Sequence, residues 1–426
     1  MCKFVFLSVM LLGCIAIAQG QVSGYAMGSY GFHTNPLYNY EGLSDQVREG
    51  YWELNFTEPS PGTQFRAGYV GGLMIFNRLE GRNYYEHRLD LAYTAKFPTG
   101  QQAQPAMKES DNDEEEAEEP FRGRILDVGL RVGARHDKEI YRAFDNLGLE
   151  IPLSFTWGVG SGTEFKIAQQ AGIRRYYFLA ELNNISDVLE AWLTTDVAKR
   201  MQLGFSATAG VKHYTTNEID TSRIETATTT FARGNQGKGK GGSGLSGQNG
   251  GGNSGKKKEI LVNSTTTNTY QVTLGVTGTW KWESGNANAE LLYRLNPKSQ
   301  VRFLAQYVNT SLLTQDIYND SFSYGGPGLK IGLRQDLPYG LQLTVRGECQ
   351  RKKFLAPALD LTGIETSSNR VDLHGALEGT LSKTISLNES ITLEIAFNSG
   401  IARNKSDDAY NDYSLSFYSI SVGVGF

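Results

Sequence analysis

Alternation dominates this chain. From Val22 onward, segments of roughly ten residues carry apolar side chains at every second position. A period of two is the strand period, because successive side chains point to opposite faces. In segment 86–97, Leu89, Leu91, Tyr93, Ala95 and Phe97 share one face. In 201–214, Leu203, Phe205, Ala207, Ala209 and Val211 alternate with Gln202, Gly204, Ser206, Thr208 and Gly210. The same reading predicts strands at 22–32, 51–56, 64–76, 124–136 and 140–160, with less tidy ones at 164–179 and 188–195. Further on it predicts strands at 269–283, 287–295, 301–310, 329–337, 341–354, 370–385, 391–402 and 415–426. A Thr-rich stretch at 224–231 adds one more, since Thr favours sheets. Turn chemistry stands between them at Glu58-Pro59-Ser60-Pro61-Gly62, Ser284-Gly285-Asn286, Asn296-Pro297-Lys298-Ser299 and Pro338-Tyr339-Gly340.

Two stretches break the pattern. Residues 98–121 include a run, 111–119, that is nearly all carboxylate. Such a run buries too little apolar area to offset the entropy of ordering, which predicts a disordered acidic loop. It lacks the spaced ligands and turning Gly of a calcium loop. Residues 234–258 are almost all Gly, Lys, Ser, Asn and Gln, which predicts a flexible insert within the fold. Its segment Gly250-Gly251-Gly252-Asn253-Ser254-Gly255-Lys256-Lys257 is one residue short of a phosphate-binding loop, with Lys257 where the motif needs Ser or Thr.

The last segment is the most regular. Tyr418, Ile420, Val422, Val424 and Phe426 fall on one face, and Ser419, Ser421, Gly423 and Gly425 on the other. This ending resembles the closing strand of Gram-negative outer-membrane β-barrels, where alternating apolar residues before a C-terminal Phe form the signal for the barrel-assembly machinery. The resemblance implies an all-β fold, a single transmembrane antiparallel β-barrel, with membrane lipid, lipopolysaccharide and the assembly machinery as partners. Eight predicted strands fit after the Gly-rich insert and eight to ten before it, so 16 to 18 are expected. Bacterial barrels have short periplasmic turns and longer outer loops. Counting back from a descending last strand makes 311–327, 355–369 and 404–413 outer loops. Asn296 to Ser299, Pro338 to Gly340 and 383–390 become periplasmic turns. The acidic run then lies on the periplasmic side, as does the Gly-rich insert if the Thr-rich stretch is a barrel strand. Residues 404–413 also resemble the final outer loop of barrels that help lipoproteins to the cell surface. Those barrels carry a helical-repeat domain that has no counterpart here, so their function is not carried over.

Composition agrees with a barrel. The 426 residues include 49 Gly, 22 Tyr and 20 Phe but only 11 Pro. Barrels use Gly where strands crowd and aromatics in girdles at the two interfaces. The mean hydropathy of -0.36 excludes a helical polytopic membrane protein, though not a barrel, in which only alternate residues meet lipid. The net charge of -4 argues against nucleic acid. A soluble array of β-sandwiches is the competing fold, and it would bury bulky apolar residues between paired sheets.

At the N-terminus, Lys3, the apolar stretch 4–13 and Ala16-Ile17-Ala18 predict a secretory signal peptide over 1–20, with the barrel over 21–426. Leu11-Leu12-Gly13-Cys14 approximates a lipobox, but the apolar stretch 15–18 that follows replaces the usual polar tether. Cleavage removes Cys2 and Cys14 and leaves Cys349 alone, so no disulfide framework is expected.

The informative charges are those that interrupt apolar alternation. Arg131, Arg135, Arg174, Arg175, Arg334, Arg346, Arg351, Glu348, Glu378 and Glu394 do so. A charge on the lipid face at mid-depth costs about 2–4 kcal/mol, so most of them should face the lumen. Arg131, Arg334, Arg346, Glu348 and Glu378 are the candidate lumen charges. Leu341, Leu343 and Val345 form one face of their strand, and Gln342, Thr344, Arg346 and Glu348 the water-facing other. Such a wall suits a passive pore for small polar solutes, with the charges as its filter. The alternative is a closed lumen and a barrel that holds partners through its loops, for which the aromatic clusters at 38–40 and 318–324 would serve. An enzyme ranks third. His33, His87, His136, His213 and His374 stand on different strands with no metal-ligand spacing, and no nucleophile motif accompanies them. A TonB-dependent transporter would need a plug domain for which the chain leaves no room. No motif requires a cofactor or a metal.

Overall fold

The computed structural model describes residues 20–98, 123–159, 162–178, 182–214, 268–298 and 321–426, apart from 37, 39, 40, 139–141, 143 and 363. Its strands are β1 (Gln21–His33), β2 (Asp45–Ser60), β3 (Thr63–Phe76), β4 (Tyr84–Pro98), β5 (Gly123–Asp137), β6 (Asn146–Gly158), β7 (Thr163–Tyr176) and β8 (Asn184–Ala198). The ring continues through β9 (Met201–Tyr214), β10 (Asn268–Trp282), β11 (Gly285–Lys298), β12 (Gly326–Leu337), β13 (Leu341–Leu359), β14 (Glu365–Ser386), β15 (Thr392–Ser406) and β16 (Tyr413–Gly425). Each pairs antiparallel with its sequence neighbours, and β1 pairs with β16, so the 16 strands form a closed barrel. The seam runs from Tyr25 opposite Gly425 to His33 opposite Phe417. Closure removes the exposed edge that an open sheet would present.

A glycine makes room for the last ring at the end of the seam. Gly24 and Phe426 exchange backbone hydrogen bonds of 2.8 and 2.9 Å, and a Cβ on Gly24 would stand 2.4 Å from the Phe426 ring. Any side chain there would displace the terminal aromatic.

The side chains show which face meets water. Ile420, Leu291 and Ile401 on the outside are 59, 62 and 60% exposed, and the outward apolar set continues around the ring. A monomeric soluble protein does not expose an apolar band of that extent. The sandwich reading fails for this reason, because the apolar faces point out of the ring and not between packed sheets. The described buried apolar cluster is small: Val47, Met74, Phe76 and Tyr84, with Leu79 against them, on the inner side of β2–β4.

The two ends of the barrel differ. β2–β3, β6–β7, β8–β9, β10–β11 and β12–β13 are joined by short turns at one end, where β1 begins and β16 ends. At the Pro338–Gly340 turn Tyr339 and Gly340 take φ of 67 and 70°. With 99–122 as the exception at the first end, the other end carries the longer connections, including 215–267 and 299–325.

The count is 16, within the expected 16 to 18. Three sequence expectations change here. The strands expected at 224–231 and 301–310 lie outside the described residues, but β9 pairs directly with β10 and β11 with β12, so the ring places no strand between either pair. Removing one strand reverses every side upstream of it, and removing two restores it. The connection at 99–122 therefore stays at the short-turn end, as expected for the acidic run. The connection containing the Gly-rich insert moves to the long-loop end. Asn296 to Lys298 belong to β11 as it rises toward that end, so they are not part of a short-end turn; that role falls to Glu283 and Ser284. Finally, 355–369 is largely strand, because β13 runs to Leu359 and β14 starts at Glu365. The acidic and Gly-rich inserts and the signal peptide fall outside the described residues.

Candidate functional site

Register alone assigns every side chain to the inside or outside, since residues opposed across an antiparallel pair share a face. The small face of β16, Ser419 to Gly425, opposes Asn398, Ala396 and Glu394 of β15. These oppose Thr380, Ser382 and Thr384 of β14, and the inner face continues through Glu378, Arg346 and Arg334. Arg334, Arg346, Glu348 and Glu378 thus all point inward and all are exposed. Arg131 also points inward, opposite Asp90 on β4 and Glu150 on β6. All five candidate lumen charges line the interior.

They do so in two different ways. On the wall of β4–β7, Arg131 Nε donates to Asp90 at 2.7 Å and Nη1 to Glu150 at 3.0 Å. Arg88 Nε reaches Asp90 at 2.7 Å, and Arg174 lies 3.6 Å from Glu150. Nearer the long-loop end, Arg135 sits between Glu86 and Asp137 with its guanidinium 4.0 Å from the centre of the Tyr84 ring. The side chains of Glu86 and Asp137 are wholly buried. Each of these charges has a partner on that wall.

On the wall of β11–β14, Arg334, Arg346 and Glu378 make no ion pair or side-chain hydrogen bond among the described residues. Arg346 and Glu378 are in register with each other, but their outer neighbours are Gly332 and Gly400. A glycine offers no group to bridge to, so each charge is flanked on one side only. Glu348 accepts from His374 Nε2 at 2.9 Å, assigned from geometry, and Lys330 lies 3.4 Å from Glu290.

Not every strand charge points inward. Arg135, Arg174 and Glu394 do, and Glu394 accepts from Tyr25 Oη at 2.9 Å. Arg175 and Arg351 occupy the outward phase near the long-loop rim, where a long cation reaches the headgroup layer. Of the histidines, His33 stacks on Phe417 inside the ring, whereas His87 and His136 lie outside among Tyr69, Tyr85 and Trp52. His213 is also outward and bonds Asn268.

An in-folded segment was missed entirely by the sequence reading. Ser321–Ser323 forms a 3-10 turn leading to Tyr324, within the stretch read as an outer loop. Phe322 and Tyr324 are buried. Phe322 covers the inner face of β9 at Gly210, with Lys212 Nζ 5.0 Å from its ring centre. Ser321 Oγ donates to Gln271 on β10 at 2.9 Å. Tyr324 packs on Phe354, with Arg294 and Lys352 at 4.8 and 5.0 Å from its ring. The segment therefore narrows the interior below the long-loop rim. Its aromatics were assigned to partner binding, but they face into the barrel. The one sequence signal was the aromatic pair ahead of Gly325-Gly326, and turn chemistry does not tell an inward loop from an outward one. Of the 38–40 cluster only Tyr38 is described, and it packs edge-on against Tyr413 at 5.9 Å.

The outward ridge of β16 is as the alternation implied. Tyr418, Ile420, Val422, Val424 and Phe426 are all exposed on the outer surface.

No protein-family model matches the chain, and no curated protein does. Among solved structures it is similar to Acinetobacter baumannii OccAB1 at 8% identity, covering 96% of this chain and 97% of that one, with a TM-score of 0.45. It is similar to the outer membrane protein OprD from Pseudomonas aeruginosa at 8% identity, covering 96 and 94%, with a TM-score of 0.44. It is likewise similar to Pseudomonas aeruginosa OccK2 (OpdF), solved in complex with glucuronate, at 9% identity, covering 96 and 97%, with a TM-score of 0.40. From its own closed ring of 16 antiparallel strands and its apolar outer belt, this chain has the architecture of the porin-like outer-membrane β-barrels.

Proposed function

We propose that the chain is an integral channel of the bacterial outer membrane that lets small polar solutes diffuse through, filtered by the charges on the inner wall of β11–β14. The observation that carries this reading is the state of Arg334, Arg346 and Glu378, which point inward, are exposed and make no ion pair or side-chain hydrogen bond among the described residues. Unpaired charges of both signs are costly in a dry interior and cost little beside water. The outer location draws on the apolar belt and on the contrast between short turns and long loops at the two ends. The ridge Tyr418 to Phe426 meets the assembly machinery on the way in and lipid thereafter.

The test is single-channel recording of the refolded protein in a planar bilayer under a salt gradient. Steady conductance is expected, with Arg346→Glu shifting selectivity several-fold toward cations and Glu378→Gln shifting it toward anions. No current from protein shown to be folded and inserted would overturn the channel reading in favour of a closed barrel that holds partners.

A further inference from the structure

The outer wall carries a charge cluster that the channel reading does not use. Arg351 and Lys353 alternate on β13 and continue the outward face begun by Leu341, Leu343 and Val345. Arg403 and Lys405 alternate on β15 and continue the outward face of Ile395, Phe397 and Ile401. Register brings the two pairs together. Leu373 of β14 opposes both Arg351 and Lys405, Val371 opposes Lys353, and Gly375 opposes Arg403. With strands about 4.8 Å apart, the Arg351 and Lys405 backbones lie roughly 10 Å from each other across β14. Leu373 stands between Arg351 and Lys405, and below it Gly375, between Cys349 and Arg403, adds no side chain. On the far flank Ser414 of β16, opposite Arg403, is outward and exposed.

The patch stands at a definite height. Arg351 is ten residues above Leu341 at the short-turn end. Ten residues of a strand tilted by about 40° climb roughly 25 Å, the height of the apolar band of such barrels. The cations therefore meet the headgroups and not the chains. One of the four cations has a partner within the protein. Arg403 pairs with Asp412 at 2.6 Å, and Asp407 follows β15 directly. Arg351, Lys353 and Lys405 are exposed and make no ion pair among the described residues. At the same rim, β2 has Arg48 and β7 has Arg175 as single outward cations.

We propose that this outward face of β13–β15 binds the phosphate groups of the glycolipid in the outer leaflet, a proposal that rests on the outer-membrane reading above. Three such cations on one outward face match a phosphomonoester, which carries close to two charges and three acceptor oxygens, better than the single charge of a phosphodiester. Arg presents a planar fork to such a group and Lys a compact charge. Leu373, Leu377 and Ile401 continue downward from the patch as an apolar surface for the acyl chains.

The experiment compares the refolded full-length protein with the triple variant R351A/K353A/K405A and with Arg48→Ala, in a neutral detergent. Each is titrated with diphosphorylated lipid A, with the same lipid stripped of its phosphates, and with phosphatidylglycerol, and binding is read by native mass spectrometry. The parent and Arg48→Ala should retain the phosphorylated glycolipid in preference to the other two. The triple variant should bind it about tenfold or more weakly. Equal binding of phosphorylated and stripped lipid, or a triple variant as tight as the parent, would overturn the site. Phosphatidylglycerol binding as well as lipid A would overturn the assignment to the glycolipid. Heat-modifiable gel migration and bilayer conductance of the same samples separate the two levels. A protein that folds, inserts and conducts but does not discriminate lipids loses only this site, whereas one that never inserts loses the membrane reading as well.

Discussion

The two walls of the interior use similar charges in opposite ways. On β4–β7, Arg131 has a carboxylate in register on each side, Asp90 and Glu150, and both are bound within 3.0 Å. On β12–β15, Arg346 has Glu378 on one side and Gly332 on the other, while Glu378 has Gly400 on its far side. The first arrangement satisfies every charge within the protein. The second leaves charges directed at whatever fills the interior. What separates a paired charge from an unpaired one among the described residues is the set of residues one strand away, not the charge itself.

The sharpest way to break this comparison is to remove Arg135. Its side chain is 7% exposed, between Glu86 and Asp137 with side chains at 0%. Arg135→Ala removes the guanidinium that both buried carboxylates contact, and breaking a buried pair in this way costs about 3–5 kcal/mol. Arg346→Ala removes a group that satisfies nothing, so the expected change is within about 0.5 kcal/mol. Urea midpoints in the same detergent measure both. Equal losses in the two variants would mean that the walls do not differ in kind.

A middle-sized effect is expected from Asp90→Asn. Asp90 joins Arg88 and Arg131, but its side chain is 30% and that of Arg131 37% exposed, so water takes up part of the loss. A hydrogen bond to a charged group contributes about 1.5–3 kcal/mol, and the lower end applies at this exposure. Ion selectivity should change less than with Arg346→Glu, because the Asp90 charge is already neutralised by its neighbours. A selectivity change as large as that of Arg346→Glu would show that the ladder also faces the solute.

The alternation made most of the ring legible, because a one-residue slip would move a whole strand's apolar set to the wrong face. That same period gave the inward direction of Arg131, Arg334, Arg346, Glu348 and Glu378. What it could not give is which inward charges are paired, since the register between neighbouring strands sets Gly332 beside Arg346 and Glu150 beside Arg131. Nor does period two distinguish a ring strand from another apolar alternation such as 301–310, and that ambiguity moved the Gly-rich connection to the wrong end. The inward fold of Phe322 and Tyr324 was invisible for a related reason. An aromatic beside a turn looks the same in sequence whether Gly210 on β9 leaves room for it or the membrane interface does. Arg351 and Arg175 mark the last limit, because the cost that drives charges inward at mid-depth falls to about 0–1 kcal/mol at the rim.

The smallest effect tests the comparison from the other side. Lys330 and Glu290 form the pair most like a ladder rung on the β11–β14 wall, at 3.4 Å, but the lysine is 55% and the glutamate 33% exposed. A pair this wet contributes about 0–1 kcal/mol, because the two long side chains lose freedom to gain a screened attraction. Lys330→Met should therefore leave the urea midpoint almost unchanged. Its effect should appear in the current instead, as a modest shift toward cations, because Glu290 is then left free and Glu348 loses a nearby positive charge across the Lys330–Glu348 register. The two readouts must separate for the comparison to hold. If Lys330→Met lowers stability as much as Asp90→Asn does, exposure is the wrong criterion, and the partnered wall extends further round the ring than β4–β7.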